Sequence, residues 1–260
     1  AEADPFFMIG QVVFSAILPY NVRNGKERVT MEYRILGKTG LKISRMGFGG
    51  IPIQRIDAEG TKALMHKLLE NGVNYIDTAR GYTVSEEYLG VGLEGIREQF
   101  VLATKSMSRT AEAMAKDIDI SLKNLRTDYI DLYQIHNAPP ADLEKVCAPG
   151  GALEALTAAK TAGKIGHIGI TAHSLETFRM ALELPWVETV MFPYNIVEDQ
   201  AKELIHACAE KNIGFIALSD GGCFKTLQVV LEAGKLANYD EVIHTGLYSS
   251  LRVKGKLVLT

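Results

Sequence analysis

Four side chains able to hold or pass a proton stand at or just beyond the ends of short apolar runs. Asp77 closes Tyr75-Ile-Asp, Tyr82 follows in the next loop, Lys105 closes Val101-Leu-Ala-Thr-Lys, and His136 follows the run from Tyr129 to Ile135. A free phenol, with a pKa of about 10, is a poor acid at neutral pH. A lysine cation beside it stabilises the phenolate and lowers that value. A carboxylate paired with the lysine keeps the cation in place. A neutral imidazole can orient a carbonyl oxygen and share its developing charge. Together these groups would protonate an oxygen that is becoming an alkoxide. Such chemistry calls for a hydride donor, which no side chain supplies, so a nicotinamide is implied. Taken singly, an Asp at a strand end caps a helix and a Tyr there packs; the reading rests on the set.

These residues need a scaffold that brings separate strand ends together. Apolar runs suited to strands lie at 46–50, 75–78, 101–104, 129–135, 165–171, 189–193 and 214–218, with a weaker eighth at 241–245. Between them, Asp57, Thr110 and Ser174 precede helical segments, each with an acid in the first turn in the last two cases. Asn71-Gly72, Ala162-Gly163 and Asn212-Ile213-Gly214 supply stops. The alternation of strand and helix points to a parallel sheet. An open doubly wound sheet would ideally carry G-x-G-x-x-G after its first strand. Here the sequence is Gly47-Phe-Gly49-Gly50-Ile-Pro-Ile, which favours a closed (β/α)8 TIM barrel, with catalytic groups at the carboxyl ends of its strands. Ahead of it, Tyr33–Leu36 and Leu41–Ser44 flank Gly37-Lys-Thr-Gly40 as a β-hairpin placed to plug one end.

The runs E-Y-R-I-L-G-K-T-G-L-K-I-S-R-M-G-F-G-G (32–50), N-Y-I-D-T-A-R-G-Y (74–82), L-A-T-K (102–105), S-L-K-N-L-R-T-D-Y-I-D-L-Y-Q-I-H (121–136) and G-K-I-G-H-I-G-I-T (163–171) closely resemble the aldo-keto reductases. The resemblance extends from residue 32 to about 218. It implies NADPH-dependent reduction of an aldehyde or ketone, with Tyr82 as general acid, Lys105 and Asp77 as its activating pair, and His136 orienting the substrate carbonyl. It also implies that Asn137 and Thr171 contact the nicotinamide carboxamide. Three stretches depart from the pattern. Met191 stands where related chains often carry a glutamine that bonds the nicotinamide. The stretch Ala217-Leu-Ser-Asp-Gly221-Gly222 is short for the loop that wraps the pyrophosphate, and Asp220 adds negative charge there, although Gly221 and Gly222 offer open N–H groups. After 241–245 no amphipathic eighth helix follows, so the last strand-helix unit is degenerate or missing; Ser249, Ser250 and Arg252 are what remains to meet an adenosine 2′-phosphate.

The bulk properties narrow the partners. The chain has 260 residues, 47% hydrophobic and 23% charged, with a formal net charge of -3. That is an ordinary globular composition, without the basic excess that nucleic acid requires. Cys147, Cys208 and Cys223 are far apart and lack C-x-x-C spacing, as expected for free buried thiols of the cytoplasm. Residues 1–30 read as a poorly ordered extension and 31–260 as the barrel. Phe6 to Tyr20 is apolar but, at about 15 residues, too short for a membrane helix, and Glu2 and Asp4 argue against a secretory signal. An unclosed barrel would expose strand edges, predicting low stability or self-association. Two other functions compete: a cofactor-binding regulatory barrel without turnover, motivated by the altered cofactor loop, and a metal-dependent hydrolase using Asp77, His136 and His173, disfavoured because no H-x-H ends the first strand. His173 reads as a solvent-facing neighbour of a helix cap and His167 as a structural residue at the opposite mouth. Arg80 reads equally as a substrate-opening residue or a solvated loop charge, and Lys123, Arg126 and Lys160 as a solvated helix surface. The loop 137–149 reads as a wall of the substrate pocket, while the carbonyl substrate itself stays open.

Overall fold

A computed structural model of the chain describes residues 31–194 and 199–218, together with the strand positions 242–245, 248–253 and 256–259. They fall into two compact units. The larger comprises Glu32–Phe192 and Glu203–Ile216; the other takes in the described parts of 193–202 and 217–260.

The larger unit opens with the hairpin. Strands β1 (Tyr33–Ile35) and β2 (Lys42–Ser44) pair antiparallel, Tyr33 opposite Ser44. A short 3-10 turn, Gly37–Thr39, joins them, with Gly37 at φ 52° and Gly40 at φ 72°. Glycine, lacking a Cβ, holds such angles without strain. Gly37 also sits where a Cβ would fall 2.2 Å from the amide nitrogen of Gly214. The Lys38 amide donates to the carbonyl of Asn212 (2.7 Å), and the Ser44 amide to Oδ1 of Asn74 (2.6 Å). Asn74 and Gly214 lie at the amino ends of strands, so the hairpin covers that end, opposite the carboxyl ends.

Seven strands follow in one sheet and in sequence order: β3 (Phe48–Gly49), β4 (Tyr75–Asp77), β5 (Val101–Ser106), β6 (Ile130–Ile135), β7 (Ile165–Thr171), β8 (Thr189–Pro193) and β9 (Gly214–Leu218). The pairings from β3 through β8 are parallel. Helices fill the crossovers: α1 (Ala58–Glu70), α2 (Ser85–Gly92), α3 (Ala111–Asn124), α4 (Pro140–Cys147), α5 (Ala152–Thr161), α6 (Leu175–Leu182) and α7 (Lys202–Glu210). This is the alternation of a (β/α)8 barrel. Three of the expected caps form: Asp57, Thr110 and Ser174 each accept from the amide three residues on, at 2.7, 3.3 and 3.1 Å. Each is worth about 1 kcal/mol. Ile76, Leu102, Leu132 and Ile170 are fully buried, the signature of a sheet covered on both faces. In the midst of this apolar core lie Thr104, Lys105, Ser106 and Gln134, all buried.

Two expectations change. Residues 137–149 are not simply a loop, because Pro140 opens α4 with Asp142 in its first turn. Proline at the first helical position loses no hydrogen bond and is preset for the helix. The weak eighth strand exists as β10 (Val242–Thr245), but it pairs antiparallel with β11 (Tyr248–Val253), which pairs with β12 (Lys256–Leu259). The connections between these strands are too short for the crossover of a dozen or more residues that parallel pairing needs. These three strands form an antiparallel sheet of their own.

Candidate active site

Backbone pairing continues past the strand ends and fixes the loops that carry the chemistry. Beyond β4, the Thr78 amide donates to the Ala103 carbonyl and the Arg80 amide to the Lys105 carbonyl, both at 2.9 Å. Tyr82 sits in the turn that follows. Its amide donates to the Ala79 carbonyl (3.0 Å) and its carbonyl accepts from the Ser85 amide (2.8 Å). Thr83 next to it adopts φ 40° and donates through its hydroxyl to the side chain of Gln54 (2.7 Å), tying this turn to the segment after β3. Beyond β6, the His136 amide donates to the Ser106 carbonyl at 2.8 Å.

The structure brings the four sequence-derived residues together. The Lys105 ammonium, on a side chain only 2% exposed, donates to Oδ2 of Asp77 and, at 2.8 Å, to the carbonyl of Thr78. The other carboxylate oxygen of Asp77 accepts from the Gln134 amide at 2.9 Å. Burial pushes the Asp77 carboxyl above its ordinary pKa, against the opposing pull of Lys105 and Gln134. The ammonium faces the ring of Tyr82, 4.9 Å from its centroid. His136 meets that ring edge-on, with centroids 6.0 Å apart and planes at 88°. A cation, a phenol and an imidazole thus stand in sequence, on a carboxylate clamped from both oxygens.

Gln134 escaped the sequence reading, although alternation along β6 places it on the same face as His136. Arg109 escaped it too. Its guanidinium donates to the carbonyls of His136 (2.8 Å) and Asn137 (3.2 Å) and pairs with Asp142 (3.1 Å). Gln134 lies inside the run 121–136 without standing out there, and no short motif marks Arg109. Arg80 is not simply a solvated loop charge: it pairs at 2.6 Å with Glu86, whose side chain is 1% exposed. Glu86 also accepts from Thr104 (2.8 Å) and Ser121 (2.7 Å). A buried carboxylate requires such partners, and this cluster braces the Tyr82 loop against β5 and α3.

The remaining candidates separate by location. Asn137, at φ 46°, is exposed at the end of β6, and its amide donates to Oγ1 of the buried Thr171 at 2.8 Å. The exposed side-chain amide of Asn137 offers a donor and an acceptor, the set complementary to a carboxamide, so this corner fits a nicotinamide. Met191 is buried on β8 opposite Thr171 and brings only a weak thioether acceptor. Gly221 and Gly222 lie outside the described residues, as does Cys223. Ser249 and Arg252 fall on β11, a strand where the resemblance implies a loop and helix, and their side chains lie outside the described parts. His173 is exposed, while His167 is held by Glu188 at 2.7 Å. Lys123 and Arg126 are exposed, and Lys160 is a surface partner of Glu188. Cys208 is buried and its thiol is pushed up to about 12 by that burial; Cys147, at the end of α4, is exposed rather than buried. Among the described residues no helix is long and apolar enough to cross a membrane.

Fold and site define a β/α barrel whose carboxyl-end mouth holds an ion-paired lysine against a tyrosine. The aldo/keto reductase family model matches residues 45–222, and the chain belongs to that family. L-galactose dehydrogenase of Arabidopsis thaliana is 30% identical over 209 residues, which are 73% of this chain and 65% of that protein. The aldo-keto reductase YhdN of Bacillus subtilis is 33% identical over 205 residues, 70% of this chain and 59% of that one. Among solved structures, the holo form of an aldo-keto reductase from Bacillus halodurans aligns with a TM-score of 0.65 at 28% identity, covering 72% of this chain and 65% of that one. The chain therefore spans 59–65% of the length of these relatives.

Proposed function

We propose that this protein interconverts an aldehyde or ketone and the corresponding alcohol with NADPH, Tyr82 giving up or taking back the proton. The observation that carries this reading is the buried Lys105 ammonium, fixed by Asp77 and facing the Tyr82 ring at 4.9 Å. A cation beside a phenol stabilises the phenolate and so eases proton release to a neighbouring oxygen. Asp77 keeps the cation from drifting, and the Thr78 carbonyl accepts a second hydrogen bond from it. His136, edge-on to the phenol ring, is suited to orient the carbonyl oxygen that Tyr82 protonates. When bound, the nicotinamide supplies the hydride; Asn137 and Thr171 would hold its carboxamide end. Cytoplasmic location and a small carbonyl compound as partner belong to the same proposal.

Fluorescence titration with NADPH and a carbonyl-dependent NADPH oxidation assay test it. Wild type is expected to bind and turn over, and Tyr82→Phe to bind equally well while its rate falls by about 10²–10⁴-fold, the usual worth of a positioned acid. Equal rates for the two would remove Tyr82 from the chemistry. Binding without turnover in wild type would support a regulatory barrel instead, a reading favoured by Met191 at the nicotinamide corner.

A further inference from the structure

We propose that Arg109 is a positioning residue for the nicotinamide corner, acting through the peptide that joins the substrate-orienting His136 to Asn137. The inference rests on the functional reading above, because it takes Asn137 as the contact for the carboxamide. The chain turns sharply there: β6 ends at Ile135, Asn137 adopts φ 46°, and α4 begins at Pro140. Asparagine tolerates this left-handed geometry better than most residues, but nothing local fixes it there. Two groups do so from outside. On the amide side, Thr171 Oγ1 accepts from the Asn137 N–H at 2.8 Å. On the carbonyl side, one guanidinium nitrogen of Arg109 donates to the carbonyls of both His136 and Asn137, at 2.8 and 3.2 Å.

The guanidinium is itself aimed. Its Nε donates to Oδ2 of Asp142 at 3.1 Å, and Nη1 reaches the Ser108 carbonyl at 3.5 Å. The second oxygen of Asp142 accepts from Lys145 at 3.1 Å, so the carboxylate stays charged and in place on the first turn of α4. Hydrogen bonds from Lys145 and Arg109 hold its carboxyl below the ordinary aspartate range. The fork geometry matters: a planar guanidinium serves Asp142 and two carbonyls at once, which a lysine ammonium on a flexible stem does not. With the peptide held on both faces, the Asn137 side chain leaves the backbone in one direction. Arg109 also ties its own backbone to the start of α5, its carbonyl accepting from the Ala152 amide at 2.9 Å. A purely structural staple is therefore the competing account.

The test titrates full-length wild type, Arg109→Met, Arg109→Lys and Asp142→Asn with NADPH by fluorescence, with thermal unfolding in parallel. Arg109→Met is expected to raise the Kd about tenfold or more, with Arg109→Lys recovering only part of the loss and Asp142→Asn falling between lysine and wild type. A staple alone would lower the unfolding midpoint and leave the Kd of the folded protein within about twofold of wild type, which overturns the inference. If Arg109→Met does not fold, the lysine and asparagine variants decide: wild-type Kd in both overturns it. Absence of NADPH binding by wild type overturns the functional reading, and this inference with it.

Discussion

The two ends of the barrel carry the same residue types to opposite effect. At the carboxyl end, a lysine, an acid and a histidine converge on Tyr82. At the amino end, Lys160, Glu188 and His167 converge on one another. Glu188 accepts from Lys160 at 2.5 Å, from His167 at 2.7 Å and from the Ile168 amide at 2.9 Å. The difference lies in burial and in what remains available. Lys160 is 41% exposed, whereas Lys105 is 2% exposed. Burial pushes both carboxyls up. For Glu188, bonds from His167, Lys160 and the backbone outweigh it and leave the group below its ordinary value, while for Asp77 burial prevails. The amino-end cluster satisfies itself and braces the strand starts. Its counterpart spends its carboxylate on the lysine and leaves a cation facing a phenol, with a histidine edge-on to the same ring. The same three ionisable types make a brace in one setting and a reactive arrangement in the other.

This contrast can be broken most sharply at Lys105. Replacement by Met strands the Asp77 carboxylate in the core, so unfolding free energy is expected to fall by about 3–5 kcal/mol. Carbonyl-dependent NADPH oxidation should drop by about 100-fold or more; denaturant titration and steady-state rates read both. Near-normal turnover would place the chemistry elsewhere. Gln134→Leu comes next. Losing a donor to a charged carboxylate should cost about 1.5–3 kcal/mol, with a fall in rate that an alanine change of an exposed residue does not produce. If the rate holds while stability drops, Gln134 only packs.

Glu188→Gln should be smallest, about 1 kcal/mol, with turnover unchanged. Its pH dependence fixes the sign. A depressed folded pKa contributes stability that is present above the ordinary glutamate value of 4.5 and is lost as pH falls through the folded value. The wild-type advantage over Glu188→Gln should therefore be constant near neutrality and disappear on acidification below 4.5. Asp77, with its raised folded value, has the opposite slope: stability is greatest below the unfolded pKa and declines as pH rises through the folded one. Unfolding curves of Glu188→Gln and Asp77→Asn against pH should diverge from wild type in opposite directions. Parallel curves would mean that the two ends are not electrostatically distinct.

Much of this was legible before any coordinates. The strands at 165–171, 189–193 and 214–218 have the ends the apolar runs imply, because β-branched residues bounded by Gly and Asn state both element and limits. Asp77, Tyr82, Lys105 and His136 were legible because a barrel mouth gathers whatever its strand ends carry. The partner of Arg80 was not legible: a charge in a loop looks solvated until a buried Glu86 from the next helix is seen beneath it. The strand at 242–245 was visible as a strand, yet its partner was not, since pairing depends on which edge is within reach.

The sequence by itself determined the alternation of strand and helix, the caps and turns, and the identity of the four groups at the mouth, all of them set by neighbours close along the chain. Only the tertiary structure decided which carboxylate is desolvated, that Gln134 bonds Asp77 and Arg109 the carbonyls of His136 and Asn137, and that the last strands form their own antiparallel sheet. Those outcomes depend on groups tens of residues apart, whose charges and hydrogen bonds take their strength from the water that packing removes.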